Sequence, residues 1–396
     1  MAPYDVRVSA NRRWTEMSSD YVYLSRASAT TEDTLAVAAA VKSGWLSPNG
    51  PDVQAFEDDF ATFLGVEGAV ALSSGTAALH LGLKFLGLAR GDYVIVPTVT
   101  FGATAFAVNY LGATPVFVDV DDSWNLDPEL IQGAVKLVES LGGRITAAIP
   151  VDLYGTPANL GELQYEFARY GIRVLEDSAE ALGAQSGDKL VGSSGIPAVF
   201  SFNGNKIITS SGGGMLVSDD LDIIDRVRFW STQSRESLPW YEHHEVGYNY
   251  RLSNVLAALG RSQLARLPDE VARRRSVRQA YEQQLNSLPG VRVQTDPVWG
   301  LSNAWLTVTT FDSRRYPGVA PTIMGALERE GIESRPTWKP MHQQPIYSGV
   351  PRVLTGRGDR LYNEGLCLPS GIDVTPEVVV RVSRVIETQL GLISTK

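Results

Sequence analysis

The sequence predicts an α/β protein built on a mostly parallel sheet, with a smaller α/β layer toward its C-terminus. Two observations carry that expectation. Short apolar runs alternate with amphipathic stretches long enough for helices, the order a parallel sheet with crossover helices requires. A long stretch rich in Arg, Gln and Ala, residues 256–285, then breaks the alternation and separates a first series of strands from a shorter second one. At 396 residues the chain can bury a large core and divide into more than one domain.

Taken in order, residues 68–72 (Gly-Ala-Val-Ala-Leu) read as a strand and 77–88 as the helix after it. Residues 93–96 form the next strand, stopped by Pro97, which has no N–H for a ladder. The series continues at 114–118, 147–151 and 173–175, and closes at 198–202 and 215–218 around a glycine-rich loop. Beyond the long helical stretch come a strand at 305–311, a helix at 322–330 and a final helix at 376–390. Residues 1–20 mix charged, polar and isolated apolar side chains and read as an N-terminal arm, without the apolar core of a signal peptide. The expected division is a large domain over 21–255, then a connecting helix and small domain over 256–396.

The bulk numbers exclude several function classes. Hydrophobic content of 44% and charged content of 20% are ordinary for a soluble globular protein. A net charge of −9 argues against a nucleic-acid-binding stripe. Cys367 is the sole cysteine, so no intramolecular disulfide forms, which fits a reducing compartment. No apolar run approaches the roughly eighteen residues of a membrane span. The expected setting is the cytoplasm.

Lys206 is the most informative residue. It lies in Phe200-Ser201-Phe202-Asn203-Gly204-Asn205-Lys206-Ile207-Ile208-Thr209-Ser210-Ser211-Gly212-Gly213-Gly214, flanked by small hydroxyl residues and glycines. A lone loop lysine is ordinarily solvated. Here Phe200 and Phe202 lead into the loop and would bury the amine, lowering its pKa toward the nucleophilic free base, while the glycines let backbone approach a ligand. Upstream, Asp177 ends the run Arg173-Val174-Leu175-Glu176-Asp177, where α/β sheets place their ligands. An amine that forms an imine and a carboxylate that keeps a cofactor nitrogen protonated are the two groups pyridoxal phosphate chemistry requires. A helix N-cap competes for Asp177, and Glu180, three residues on, suits a capping box. Ser73-Ser74-Gly75-Thr76, between strand and helix, reads either as an N-cap or as an anion site made by free helix amides. Adjacent His243 and His244 do not share a ligand face, so no metal site is expected; His80 reads as structural, and His342 as a polar substrate contact.

The segments LSSGTAALHLGL, VPTVTFGATAFAV, VLEDSAEALGA, FSFNGNKIITSSGGGM and GYNYRLSNV resemble, in order and over nearly the whole chain, those of the DegT/DnrJ/EryC1/StrS family of pyridoxal phosphate-dependent sugar aminotransferases. That resemblance implies a fold-type I transferase, pyridoxal 5'-phosphate as cofactor, and a homodimer with active sites at the subunit interface. It implies as substrates a nucleotide-linked keto sugar and an amino donor, glutamate by expectation. By the same resemblance Lys206 would carry the cofactor and Asp177 would face its ring nitrogen. Ser74, Gly75, Thr76 and Ser201 would hold the phosphate, with Asn203 and Glu180 nearby. Phe101 would stack on the ring, and Asn249 would reach the phosphate from the neighbouring subunit. Trp338, His342 and Tyr347 would contact substrate.

Glu180 departs from the Gln or His that many members carry. With SFNGNK and the His243-containing stretch before GYNYRLS, it most resembles the subset related to bacillosamine biosynthesis, which aminates C4 of a UDP-linked 4-keto-6-deoxy N-acetylhexosamine. GDP-linked 4-keto-6-deoxymannose, as in perosamine formation, is the alternative substrate. A deoxysugar dehydratase of the same fold would carry His in place of Lys206, and a non-catalytic sensory relative would not need the intact Lys206 and Asp177 pair.

Overall fold

The structure, a computed structural model, describes residues 20–392, so the expected N-terminal arm lies, but for Asp20, outside the described residues. Its main sheet grows from the apolar runs. Strand Gly68–Leu72 is buried at every position, as a strand covered on both faces must be. It pairs antiparallel with Gly214–Ser218, which pairs antiparallel with Ala198–Ser201. Ala198–Ser201 runs parallel to Glu176–Asp177. Arg173–Val174 belongs to the same extended run, interrupted at Leu175, and lies parallel to Ile145–Ala148. From there Tyr93–Pro97, Thr114–Val118 and the edge strand Arg352–Val353 follow in parallel. A parallel bridge between Val151 and Asp177, and a hydrogen bond from the Leu175 amide to the Ala148 carbonyl, close the seam between the two halves. The result is one mostly parallel sheet in which Gly214–Ser218 is the reversed strand.

Several boundaries differ from the expected ones for local reasons. The first crossover helix begins at Gly75, two residues early, because Ser74 is extended and its hydroxyl accepts the Ala77 N–H at 3.0 Å. The long helix expected over 256–285 is two helices, Asn254–Leu264 and Leu267–Leu285. Pro268 sits in the first turn of the second, where its missing N–H costs nothing. At the break, Arg266 pairs with Asp33 at 2.7 Å.

The second layer is an antiparallel sheet of Val291–Val293, Thr307–Phe311, Gly365–Leu368 and Arg335–Pro336. Helices Leu267–Leu285, Val319–Arg329 and Pro376–Gln389 cover it through Tyr281, Leu285, Ile323, Leu327, Val382 and Ile386. Each such side chain contributes on the order of 1.5–3 kcal/mol on burial. The two layers exchange chain: Val22 bridges to Ile332 in the small one, while Arg352–Val353 completes the edge of the large one. Among the described residues no helix is long and apolar enough to cross a membrane.

Candidate active site

The chain leaves the sheet at Ser201, loops out and returns at Gly214. The Phe202 amide bonds to the Gly213 carbonyl at 2.9 Å, and the Ser210 amide to the Phe202 carbonyl at 3.0 Å, pinching the neck of the loop. Its tip is held from outside: the Trp305 indole N–H and the Ser25 hydroxyl both donate to the Asn205 carbonyl at 2.8 Å. Lys206 is thereby turned inward, its side chain only 13% exposed, with Nζ 3.8 Å from Glu180 Oε1. The amine also lies 4.2 Å from the centre of the Trp305 ring. Burial pushes its pKa below the usual lysine value, against the opposing charges of Glu180 and Asp177. Phe200 and Phe202 pack instead on Phe56 and Phe60; the aromatic face met by the amine is that of Trp305, which the sequence reading placed at the start of a strand. The strand begins only at Thr307, leaving Trp305 outside the ladder.

Asp177 is buried at the end of the adjacent strand run. Its Oδ2 accepts the Thr104 hydroxyl at 2.7 Å and its Oδ1 the Ala179 amide at 3.2 Å. Thr104 is itself bonded to Thr100 at 2.8 Å. No helix follows, so neither Asp177 nor Glu180 has a helix N-terminus to cap. Burial raises the Asp177 pKa, opposed by the Thr104 hydroxyl, the Ala179 amide and Lys206. A cationic ring nitrogen would hold it ionised in the same way.

Glu180 is also buried, and its Oε2 accepts the Tyr154 amide at 2.6 Å. Burial pushes its pKa up, with Lys206 the chief opposing group. Tyr154 adopts φ +55°, ψ 19°, a left-handed conformation costly for a bulky residue. The surroundings enforce it: its amide is committed to Glu180, its hydroxyl accepts the Trp338 amide at 2.7 Å, and its ring stacks on Trp338. The Trp338 indole N–H is buried without an acceptor among the described residues and helps hold the Glu180 pKa down. Trp338 in turn meets Phe101, which is 56% exposed at the rim.

The third part is an anion cradle. With Ser74 capping Ala77, the Gly75 and Thr76 amides at the helix N-terminus have no acceptor among the described residues. A Cβ built on Gly75 would stand 3.5 Å from the Ser201 hydroxyl, so that hydroxyl borders the same amides. A Cβ on Gly214 would lie 2.5 Å from the Gly75 nitrogen, which is why glycine must occupy the returning strand. Free amides, an available hydroxyl, a buried amine and a buried carboxylate fit a phosphorylated pyridine aldehyde end to end.

The other expected residues lie elsewhere or reach outward. Both His342 ring nitrogens are engaged, Nδ1 with the Thr98 hydroxyl at 2.6 Å and Nε2 with Asp359 at 3.0 Å. Tyr347 is buried against Phe117 and donates to Asn109 at 2.7 Å. Asn203 is exposed, its carbonyl taking the Lys206 amide. Asn249 is exposed and accepts from Gln233 at 3.0 Å. Sequence reasoning missed Thr104, Tyr154 and Trp305; only Thr104, one turn beyond Phe101 on the same helix, carried a usable positional signal.

The sheet with its reversed strand, and an amine facing a buried carboxylate beside an anion cradle, define a fold-type I pyridoxal phosphate-dependent transferase. The chain belongs to the DegT/DnrJ/EryC1/StrS aminotransferase family, whose sequence profile matches residues 27–387. It is 41% identical over 382 residues to EpsN of Bacillus subtilis (strain 168), provisionally assigned as a pyridoxal phosphate-dependent aminotransferase, covering 94% of this chain and 96% of that one. It is 38% identical over 345 residues to a GDP-perosamine synthase of Caulobacter vibrioides, covering 85% and 90%. Among solved structures, DesI in the presence of its TDP-sugar product superposes with a TM-score of 0.85 at 30% identity, covering 95% of each chain. TlmJ from Streptoalloteichus hindustanus gives 0.86 at 29% identity, covering 93% of this chain and 99% of that one. The protein is a pyridoxal phosphate-dependent aminotransferase of that family.

Proposed function

We propose that the protein moves the amino group of glutamate to C4 of a nucleotide-linked 4-keto-6-deoxy sugar, with UDP-2-acetamido-2,6-dideoxy-4-ketohexose as the substrate. The observation that carries the chemistry is the Lys206 amine, 13% exposed, facing Glu180 at 3.8 Å and bordered by Trp305. The UDP reading rests on the resemblance of Glu180, SFNGNK and the His243-containing stretch to the bacillosamine-type subset; related GDP-type enzymes share this Glu, so Glu180 alone does not separate the two substrates. Bound pyridoxal phosphate supplies an electron sink that accepts an amino group from one partner and gives it to another. The chain's own residues do the rest. Gly75, Thr76 and Ser201 bind the phosphate, and Ser74 shapes that turn. Asp177, aimed by Thr104, holds a proton on the ring nitrogen. Phe101 covers the ring's outer face. Lys206 Nζ takes the proton from the donor Cα and returns one at the sugar C4, a task its burial-lowered pKa suits. Trp338, on the inner rim, offers its ring to the substrate.

In this reading the working unit is a cytoplasmic homodimer, and the exposed Asn249 completes the partner's phosphate site. Residues 21–255 serve as the cofactor domain and 256–396 as the smaller one. A second reading, amination of GDP-linked 4-keto-6-deoxymannose, is favoured by the similarity to GDP-perosamine synthases of Caulobacter vibrioides, Escherichia coli O157:H7 and Vibrio cholerae. Incubating the loaded protein with glutamate and each keto sugar, and weighing the products, separates the two. Amination of the UDP sugar alone is expected; amination of the GDP sugar alone transfers the assignment to the second reading, and product from neither overturns both.

A further inference from the structure

Glu176 precedes Asp177 on a strand, so its side chain leaves the opposite face of the sheet. There it meets Asp152, and both side chains are fully buried, at 0% exposure. Asp152 is tied to the surrounding backbone: its amide donates to the Asp177 carbonyl at 3.1 Å, and its Oδ1 accepts the Ala158 amide at 2.8 Å. Asp152 Oδ2 and both Glu176 carboxyl oxygens have no donor among the described residues, and the Ser178 hydroxyl beside them is also unpaired. The parallel bridge between Val151 and Asp177 puts Asp152, Glu176 and Ser178 on one face of the sheet, opposite Asp177, and the two carboxyl groups act on each other there. Two carboxylates facing each other away from water cannot both ionise. A carboxylic acid and a carboxylate can satisfy each other.

We propose that Asp152 and Glu176 share one proton, and that this pair is a positioning device for Asp177, stapling its strand end to the turn that follows Ile145–Ala148. The inference rests on the reading of Asp177 as the ring-nitrogen partner. Asp177 cannot relax backward while the pair holds, so Thr104 in front and the acid pair behind fix its depth. The charged groups facing the pair are Asp177 on the same strand and, past it, Lys206 and Glu180; the neutral neighbours are Ser178 and the amides of Ala158 and Gly192. Burial pushes Asp152 up to about 7 and Glu176 well above the carboxylate range. Folding therefore raises both above their unfolded values. The stability they add is full at low pH and is lost as pH rises through about 7.

The test begins with cofactor-free protein. Infrared difference spectra at neutral pH should show a protonated-carboxyl C=O stretch in the wild type that is missing in Glu176→Gln and in Asp152→Asn. The fall of Tm with rising pH should be flatter in the double variant. With cofactor added, Glu176→Gln, whose amide donates to Asp152 in place of the shared proton, should keep the wild-type visible spectrum. Glu176→Leu, which cannot donate, should shift the band and its pH titration. Absence of the carboxyl stretch in the wild type overturns the shared proton. A wild-type spectrum in Glu176→Leu overturns the positioning role. Should Glu176→Leu not fold, a shifted spectrum in Glu176→Gln overturns that role instead. Because the infrared and Tm readings need no cofactor, failure of the shared proton is distinguishable from failure of the cofactor reading.

Discussion

The Lys206 pocket and the 338–347 segment both bring polar side chains out of solvent, yet their hydrogen bonds are settled in opposite ways. In the segment, His342 is bonded at both ring nitrogens and Tyr347 at its hydroxyl, all within the chain. In the pocket, the Gly75 and Thr76 amides have no acceptor among the described residues, and a lysine and two acids share a dry space in which Lys206 meets Glu180 only at 3.8 Å. A fold that leaves buried polar groups unpaired gives up stability there, and the groups left open are those a ligand can satisfy. Trp338 stands between the two regions, its backbone committed to Tyr154 and its ring set between Tyr154 and Phe101.

Substitutions can break this comparison, the largest effect first. Lys206→Ala removes both the attachment point and the proton carrier, and should lower turnover by at least about a thousand-fold, read as product mass per unit time. Asp177→Asn keeps the shape but cannot hold a charged ring nitrogen, and should cost about 10²–10³ in kcat while the cofactor band shifts. Ser201→Ala removes one bond to a charged phosphate, worth about 1.5–3 kcal/mol. It should therefore weaken cofactor affinity roughly 10- to 100-fold in an equilibrium titration. Glu180→Gln removes the main charge that raises the Lys206 pKa against burial. The pH midpoint for cofactor capture by the apoprotein, already below that of free lysine, should fall by about one further unit. His342→Gln should act on the other region alone, lowering stability by about 1–2 kcal/mol in denaturant melts with KM for the sugar unchanged. A raised KM would return His342 to the substrate site.

Much of the sheet was legible because its strands are short, apolar and bounded by turn residues; Gly68–Leu72 and Thr114–Val118 lie where the pattern puts them. Asp177 and Lys206 were legible because Asp177 ends an apolar strand run and Lys206 lies in the glycine-rich loop that follows the neighbouring strand, and the helix-terminal glycine marked the cradle. Trp305 was not, because its role depends on Ala304 taking φ +53° and the ladder starting two residues later. Tyr154 was hidden for a similar reason: no sequence pattern announces a tyrosine in the left-handed region, and the groups that hold it there, Glu180 and Trp338 among them, are distant in the chain. The split at Ala265–Arg266 carried a local signal in Pro268, which suits the first turn of a helix and not its interior; the long-range pairing of Arg266 with Asp33 carried none.

All of this chemistry depends on the amine at position 206 being the group the cofactor joins. Borohydride reduction of the cofactor-loaded protein, followed by proteolysis and mass spectrometry, measures this directly. A pyridoxyl adduct is expected on the peptide containing Lys206, with its loss in Lys206→Ala; an adduct on any other lysine of the wild type, or none at all, would remove Lys206 from that role.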